Sequence, residues 1–596
     1  MKAQKLRSEI DDKFKWDLSS MYSSFTDVEN DFKKCEELEE EIQKYKNKNL
    51  DENSLYELIK LDLDINRILE KLIVYSSLKL AEDSTDDTNQ SLYLKIHDFS
   101  QNIYTKISFI PNLIYKLDYK TVTDYINKND NLKQYSFLLQ VMFREKEHKL
   151  TDEEEKLVSS LTHALTLPSE TYDMLCNSDI KFGNIKDENG KDVELTDSNF
   201  SIFAKSKNRK VRQNAFERYY STYGNYKNTL ATIYSSHLKT VSILSKLKKY
   251  DSTLSEDMSS DNLPLELYDN LINTVNSNLD ILHKYYKIRK DISGLEEFHI
   301  YDKSAPVTEE FNKDFSYEDA QKIILDIFKI MGDDYVDILK KAFNERWIDV
   351  YNNKGKDSGA FSSGVYDSNP FVLTNYENKF EDVSTIAHEL GHSVHTYYSI
   401  HNNSYAYYDY SHFIAEVASL TNEIIFHKKM IESTNSKEEK KYILNHLLIL
   451  YISNFFDAVL YAEFEKDVHD KVENNDIITS DYLCNLCYDL NKKYYGKYVV
   501  IDEEVKYRWE IYSHLYVDYY LYKYATGISC ATYCANKILN DDKEFIEKYK
   551  EFLKLGSSCY SNEALLKIGI DVTKVEFIED AIKFFNNLLD EFIKLN

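Results

Sequence analysis

Glycine and proline are scarce in this chain, with 13 and 5 among 596 residues. Both residues break helices, so their scarcity argues against a hairpin-rich β architecture and for long uninterrupted helices. Cysteine is sparse, irregularly spaced and odd in number, at seven, which does not suit the disulfide framework of a secreted domain. Cys484 and Cys487 form a lone C-x-x-C with no second pair to complete a four-thiolate site, and they read as buried helical cysteines. Positive charge is in deficit: 74 Lys and Arg stand against 101 Asp and Glu, a net of −27. Nucleic acid demands the opposite balance, and an anionic membrane surface would repel this one. Residues 1–18 contain neither an apolar core nor a small-residue cleavage site, so no secretory signal is expected. The longest apolar stretch, Leu447 to Phe464, is interrupted by Asn454 and Asp457 and reads as a buried helix rather than a membrane span. A reducing cytoplasm is the expected location.

What the chain does have is helical periodicity. Residues 1–200 alternate apolar and charged positions at helical spacing, and the segment from Glu29 to Lys46 presents one apolar stripe and one charged face. The strand candidates of this half lie within 178–196, where Asn189-Gly190 separates two short β-capable runs. From about 201 the helical pattern resumes, and the expected organisation is an N-terminal helical domain, 1–200, followed by a catalytic domain, 201–596. At 351–376 the texture changes: Gly355, Gly359 and Gly364 break any helix, and Pro370 precedes the β-prone run Phe371 to Thr374. This predicts strand, turn, strand just ahead of a helix that begins near Glu381.

That helix carries His388-Glu389-Leu390-Gly391-His392, an H-E-x-x-H motif. At 3.6 residues per turn both imidazoles share a face and can reach one ion, while Glu389 projects from the adjoining edge to hold a water. Chance alone would place such a motif in roughly one chain in thirty of this composition, so context has to decide. A catalytic zinc site needs a third protein ligand and an open position. Glu416, between Ala415 and Val417 on the next helical segment, is a carboxylate among apolar residues, costly to bury unless paired or metal-bound. Glu423 shares its face and suits orientation of an imidazole. His395 follows His392 by three and faces the site region, either as a substrate or supporting contact or as a packed, hydrogen-bonded core histidine; His401 and His412 read as loop or surface residues. The segment 509–529 brings His514 together with Tyr516, Tyr519, Tyr520, Tyr522 and Tyr524, neutral donors suited to a carbonyl or oxyanion.

At these residues the sequence resembles oligoendopeptidase F, within the thimet-type zinc oligopeptidases. The likeness runs through AHELGHSVHTYYS, FIAEVASLTNE, SHLYVDYYLYKYATG and GAFSSGVYDSNPFVLTNY, and upstream through KWDLSSMY and NRKVRQNAFERYYSTY. It implies a mainly α, two-lobed metallopeptidase with a deep central channel and a small β-sheet next to the active-site helix. It further implies one zinc ion held by His388, His392 and Glu416, with Glu389 as general base and Glu423 supporting. His514 with Tyr519 or Tyr522 would hold the substrate carbonyl, and Gly359, Ala360, Phe361 and Ser362 would pair with extended substrate backbone. The expected activity is internal cleavage of short unstructured peptides. A zinc carboxypeptidase of similar build and a non-catalytic peptide-binding protein are the rival readings, and a structural zinc site would need a fourth protein ligand that the sequence does not offer.

Overall fold

A computed structural model describes residues 4–309, 311 and 313–596. The fold is mainly α, with only five short strands among the described residues. The chain divides into two compact units, each assembled from three separate stretches. The first comprises 1–149, 312–429 and 534–570; the second comprises 150–311, 430–533 and 571–596. The changeovers therefore fall at 149/150 and again further along, and none coincides with the boundary near 200 expected from the sequence texture. Composition along the chain cannot reveal a unit that leaves and returns, because the stretches that share a core are far apart in sequence.

In the first unit the helix Phe25–Ile42 starts at Ser24, whose side chain accepts from the Asp27 N–H while Asp27 answers back. Asp51 and Ser54 start Glu52–Glu82 in the same reciprocal way. The predicted apolar stripe buries Cys35, Leu38 and Ile42, and Val28 just ahead of it is buried with them. Trp16, Met21, Val28, Leu72, Leu78 and Ile96 form one core with Val365, Phe371 and Leu373. That shared core seats the small sheet on the N-terminal helices.

This sheet is where the site begins. β3 (Ile348–Asp349) pairs in parallel with β5 (Phe371–Leu373), and β4 (Phe361–Ser363) pairs with β5 antiparallel, in the order β3-β5-β4. The strand–turn–strand expected at 351–376 is present; β3 was not foreseen, because its pairing joins residues too far apart for a local signal. β4 is an edge strand with one backbone side free of sheet pairing. Its Ser362 hydroxyl meets the Ser393 hydroxyl at 2.9 Å, fastening the strand to the helix Phe380–Asn402.

In the second unit β1 (Asn184–Lys186) and β2 (Asp192–Glu194) make the predicted hairpin, with Gly190 at φ +75° in its turn. The helical run Lys437–Glu473 is long and apolar enough by composition to cross a membrane, yet 61% of its most apolar window is buried. A π turn at Ile452–Asp457 interrupts it, and Asp457 there accepts from the Tyr495 hydroxyl at 3.0 Å. Cys484 and Cys487 are buried, with burial pushing their thiols up to about 11 and 12, so they are inert helical cysteines.

Candidate active site

The helix Phe380–Asn402 carries the H-E-x-x-H segment, and His412–Ser433 crosses it. Gly391 sits at the crossing. A Cβ there would stand 2.6 Å from Ser419 Cα and 2.7 Å from the Ala418 carbonyl oxygen, so only glycine lets the helices approach this closely. Asn422 adds a link, donating to the Ala387 carbonyl at 3.2 Å while accepting from the Tyr335 hydroxyl at 2.8 Å.

The close crossing brings Glu416 to the two imidazoles. Glu416 Oε2 lies 3.5 Å from His388 Nε2 and 3.7 Å from His392 Nε2. Ligands about 2.0–2.2 Å from a tetrahedral zinc ion stand about 3.3–3.6 Å apart, so these spacings suit one ion. Neighbouring side chains hold the ligands in place. His388 Nδ1 bonds Glu423 Oε2 at 2.9 Å, Glu423 Oε1 accepts from Ser384 at 3.2 Å, and Ser419 donates to Glu416 Oε2 at 2.8 Å. The arrangement leaves both Nε2 atoms facing the carboxylate, as a metal site requires. These three are the group able to hold a metal ion among the described residues.

Charge points the same way. Glu389, Glu416 and Glu423 converge here, and no Lys or Arg lines the pocket. Burial pulls the His388 imidazole down, but the Glu423 hydrogen bond and charge, backed by Glu389 and Glu416, outweigh it and raise it to about 10. Burial takes His392 down to about 4 against the pull of Glu416. Burial also resists ionisation of Glu416, yet the two imidazoles and Ser419 hold it below the usual carboxylate range. Glu389, only 6% exposed, is pushed by burial up to about 7. Such a cluster of negative charge calls for a cation, and a metal ion satisfies it.

The pocket over these residues has a volume of about 520 Å³ and is lined on one side by Ala360, Phe361, Ser362 and Ser363 of the edge-strand segment. Gly359 lies just outside it, exposed, its carbonyl accepting from Asn375 Nδ2 at 2.9 Å. The chain matches peptidase family M3 over residues 202–584 and the oligopeptidase F family over 114–182. It belongs to peptidase family M3. The oligopeptidase PepF of Bacillus subtilis is 37% identical, over 99% of this chain and 88% of its own. A solved structure from Chlamydophila abortus superposes with a TM-score of 0.90 at 31% identity, covering all of both chains. The oligoendopeptidase-F of Enterococcus faecium superposes with a TM-score of 0.76 at 29% identity, covering 96% of this chain and 99% of the other.

The activity class of this M3 chain is therefore that of a metallopeptidase, and the structure corrects several residue-level expectations. His395 is not a substrate contact: it has no exposure, and burial lowers it to about 3. It stacks on Tyr410 at 3.7 Å, beneath the pocket wall. The pocket wall includes His412, exposed as expected but given no part in the site from sequence, together with Tyr408, Asp409 and Tyr410. The missed signal was spacing, since His412 precedes Glu416 by four on one helix face. His401 is exposed, as expected, with Nδ1 on the Tyr397 carbonyl at 2.8 Å.

Tyr519 and Tyr522 are corrected too. Tyr519 is 1% exposed with its hydroxyl on Thr253, and Tyr522 is fully buried with its hydroxyl on Asp257 at 3.1 Å. Neither phenol is free to donate to a substrate. The phenols beside His514 are Tyr520 and Tyr524, both half-buried; the Tyr524 hydroxyl lies 3.3 Å from His514 Nε2, and the Tyr520 ring stacks on His514 at 5.8 Å. Burial lowers the His514 imidazole, so it is neutral near pH 7.

Proposed function

We propose that this M3 peptidase is a zinc-dependent oligoendopeptidase that cuts internal bonds of short, unstructured peptides. The observation that carries the reading is the pocket itself: an unpaired strand edge, β4, lines the same cavity as His388, His392, Glu416 and Glu389. An extended peptide added to that edge lies alongside the metal ligands, held by backbone pairing that asks for no particular side chain.

His388, His392 and Glu416 would hold zinc, with Glu423 fixing the His388 ring through Nδ1. When bound, the ion supplies Lewis acidity for the scissile carbonyl and acidifies the attacking water. Glu389 takes the water proton as general base and passes it to the leaving amine; its carboxyl, pushed by burial to about 7, suits both transfers. His514, with Tyr520 and Tyr524, supplies neutral donors for the substrate carbonyl and the developing oxyanion. Folded proteins are excluded because their backbone is already paired and cannot add to β4. Peptides of roughly 5–20 residues are the expected range, by analogy with the family.

The test is a library of peptides blocked at both termini, digested with and without chelator and read by mass. Internal cuts that vanish with chelator support the reading. Cleavage confined to peptides with a free carboxyl end would make the chain a carboxypeptidase. The same flexible sequence offered alone and within an exposed loop of a stable protein tests size selection; equal cleavage of both removes it.

A further inference from the structure

His514 is joined to Tyr520 and Tyr524 by a short turn, residues 517–520, between the 3-10 segment Ser513–Tyr516 and the helix Leu521–Leu539. Two residues of this connection, Asp518 and Tyr519, and Tyr522 just inside the helix are fastened on the inner side. The Asp518 carboxylate meets two histidines from two different helices. His237 Nε2, on Lys227–Leu247, bonds Asp518 Oδ1 at 3.1 Å, and His469 Nε2, on Ala458–Glu473, lies 3.3 Å from the same oxygen. His469 is 1% exposed, and its Nδ1 lies 3.0 Å from Thr253 Oγ1, which itself donates to Glu473 at 2.7 Å.

The next residue, Tyr519, adopts φ +52°, a left-handed conformation rare for a bulky side chain. Its N–H donates to Glu465 Oε1 at 2.8 Å, and Glu465 has no exposure at all. The Tyr519 ring packs 4.6 Å from His469 and 5.5 Å from Tyr268. Beyond it, Asp257 accepts from the Tyr522 hydroxyl at 3.1 Å and from Lys523 Nζ at 2.7 Å. Inward and outward residues thus interleave: Tyr519 and Tyr522 are buried in the core and Asp518, itself half-buried, is tied to buried histidines, while His514, Tyr520 and Tyr524 remain half-buried against one another.

Two histidines and a carboxylate suggest a metal site, but the three-donor spacing for an ion is met at His388, His392 and Glu416 and not here, among the described residues. Nor does simple adhesion account for the cluster, since apolar side chains would fasten a loop with less desolvation. What a polar clasp adds is direction, because the His237–Asp518 and Tyr519–Glu465 hydrogen bonds each admit one register of the turn.

We propose that Asp518, clasped by His237 and His469, is a positioning device that sets the register of the turn and so holds His514, Tyr520 and Tyr524 in one arrangement for handling substrate. This rests on the reading of His514 as a substrate-handling group. The test is a double-mutant cycle in the zinc-loaded full-length enzyme, using a blocked peptide. Asp518→Asn should lower kcat/KM about ten- to a hundredfold, the penalty for misplacing a catalytic group by about an ångström, with zinc content unchanged. In a His514→Ala background the same change should cost less than about threefold, because what it positions is gone. His237→Gln, at the edge of the cluster, repeats the cycle if Asp518→Asn fails to fold. Independent, additive losses would show a merely structural role and overturn the proposal. An unaffected His514→Ala enzyme would instead remove the reading beneath it, a result distinguishable because it appears without touching the clasp.

Discussion

Replacing Glu423 by Gln removes the charge behind His388 while keeping the size of the side chain. Glu423 Oε2 is 2.9 Å from His388 Nδ1, and Glu423 is 8% exposed, so the lost interaction is a sheltered, charge-assisted hydrogen bond. Such bonds are worth about 1.5–3 kcal/mol. The loss corresponds to about ten- to a hundredfold in metal affinity, the range found when a ligand's supporting carboxylate is removed. A second effect opposes the first. Burial pulls His388 down, and chiefly Glu423 raises it to about 10, so the metal-free wild-type site carries a proton that zinc must displace at neutral pH. Below that value, zinc affinity should rise by about tenfold for each pH unit gained. Without the Glu423 charge, burial lowers the imidazole and that competition relaxes. The expected outcome is a flatter pH dependence, with the variant's deficit confined to the alkaline end and reversed below about pH 8, where the proton on His388 costs wild type more than the lost hydrogen bond. Calorimetry in buffers of differing ionisation heat should show wild type releasing about one proton per ion from His388, plus the fraction still on Glu389, and the variant releasing fewer. Competition with a coloured chelator from about pH 6.5 to 9 gives the affinities. Parallel affinity curves with equal proton counts would refute the reasoning.

Glu389→Gln should retain zinc and lose at least about a hundredfold in turnover, checked by metal analysis beside steady-state rates. Gly391→Ala should destabilise the fold by about 1–3 kcal/mol in denaturant unfolding, because its Cβ meets backbone rather than a movable side chain, and zinc retention should fall with it. Tyr520→Phe and Tyr524→Phe should lower kcat/KM by about ten- to a thousandfold at unchanged Tm, whereas Tyr519→Phe and Tyr522→Phe should lower Tm first. If the two pairs behave the other way round, the assignment of the outward phenols is wrong.

Local rules decided a good part of this protein before any fold was known. The four-residue spacing of His388 and His392 needs only a helix to become a two-imidazole face. Few glycines and prolines imply long helices, Asn189-Gly190 implies a hairpin, and the apolar setting of Glu416 marks a carboxylate with a partner to find. These features depend on neighbours within a turn or two, so the sequence states them directly.

Packing decided the rest. Whether the helices cross closely enough for Glu416 to reach the imidazoles depends on what a Cβ at Gly391 would strike, and that neighbour is 28 residues away at Ser419. Whether His395 or His412 faces the pocket depends on Tyr410 covering the one and leaving the other exposed. In the tyrosine run, helical counting fails at Tyr519, because a left-handed residue and the clasp on Asp518 reset the phase before the helix begins at Leu521. Two alternating sets of phenols are equally plausible as text. Only the buried partners of one set, Thr253, Asp257 and Glu465, select which phenols are left to meet a substrate.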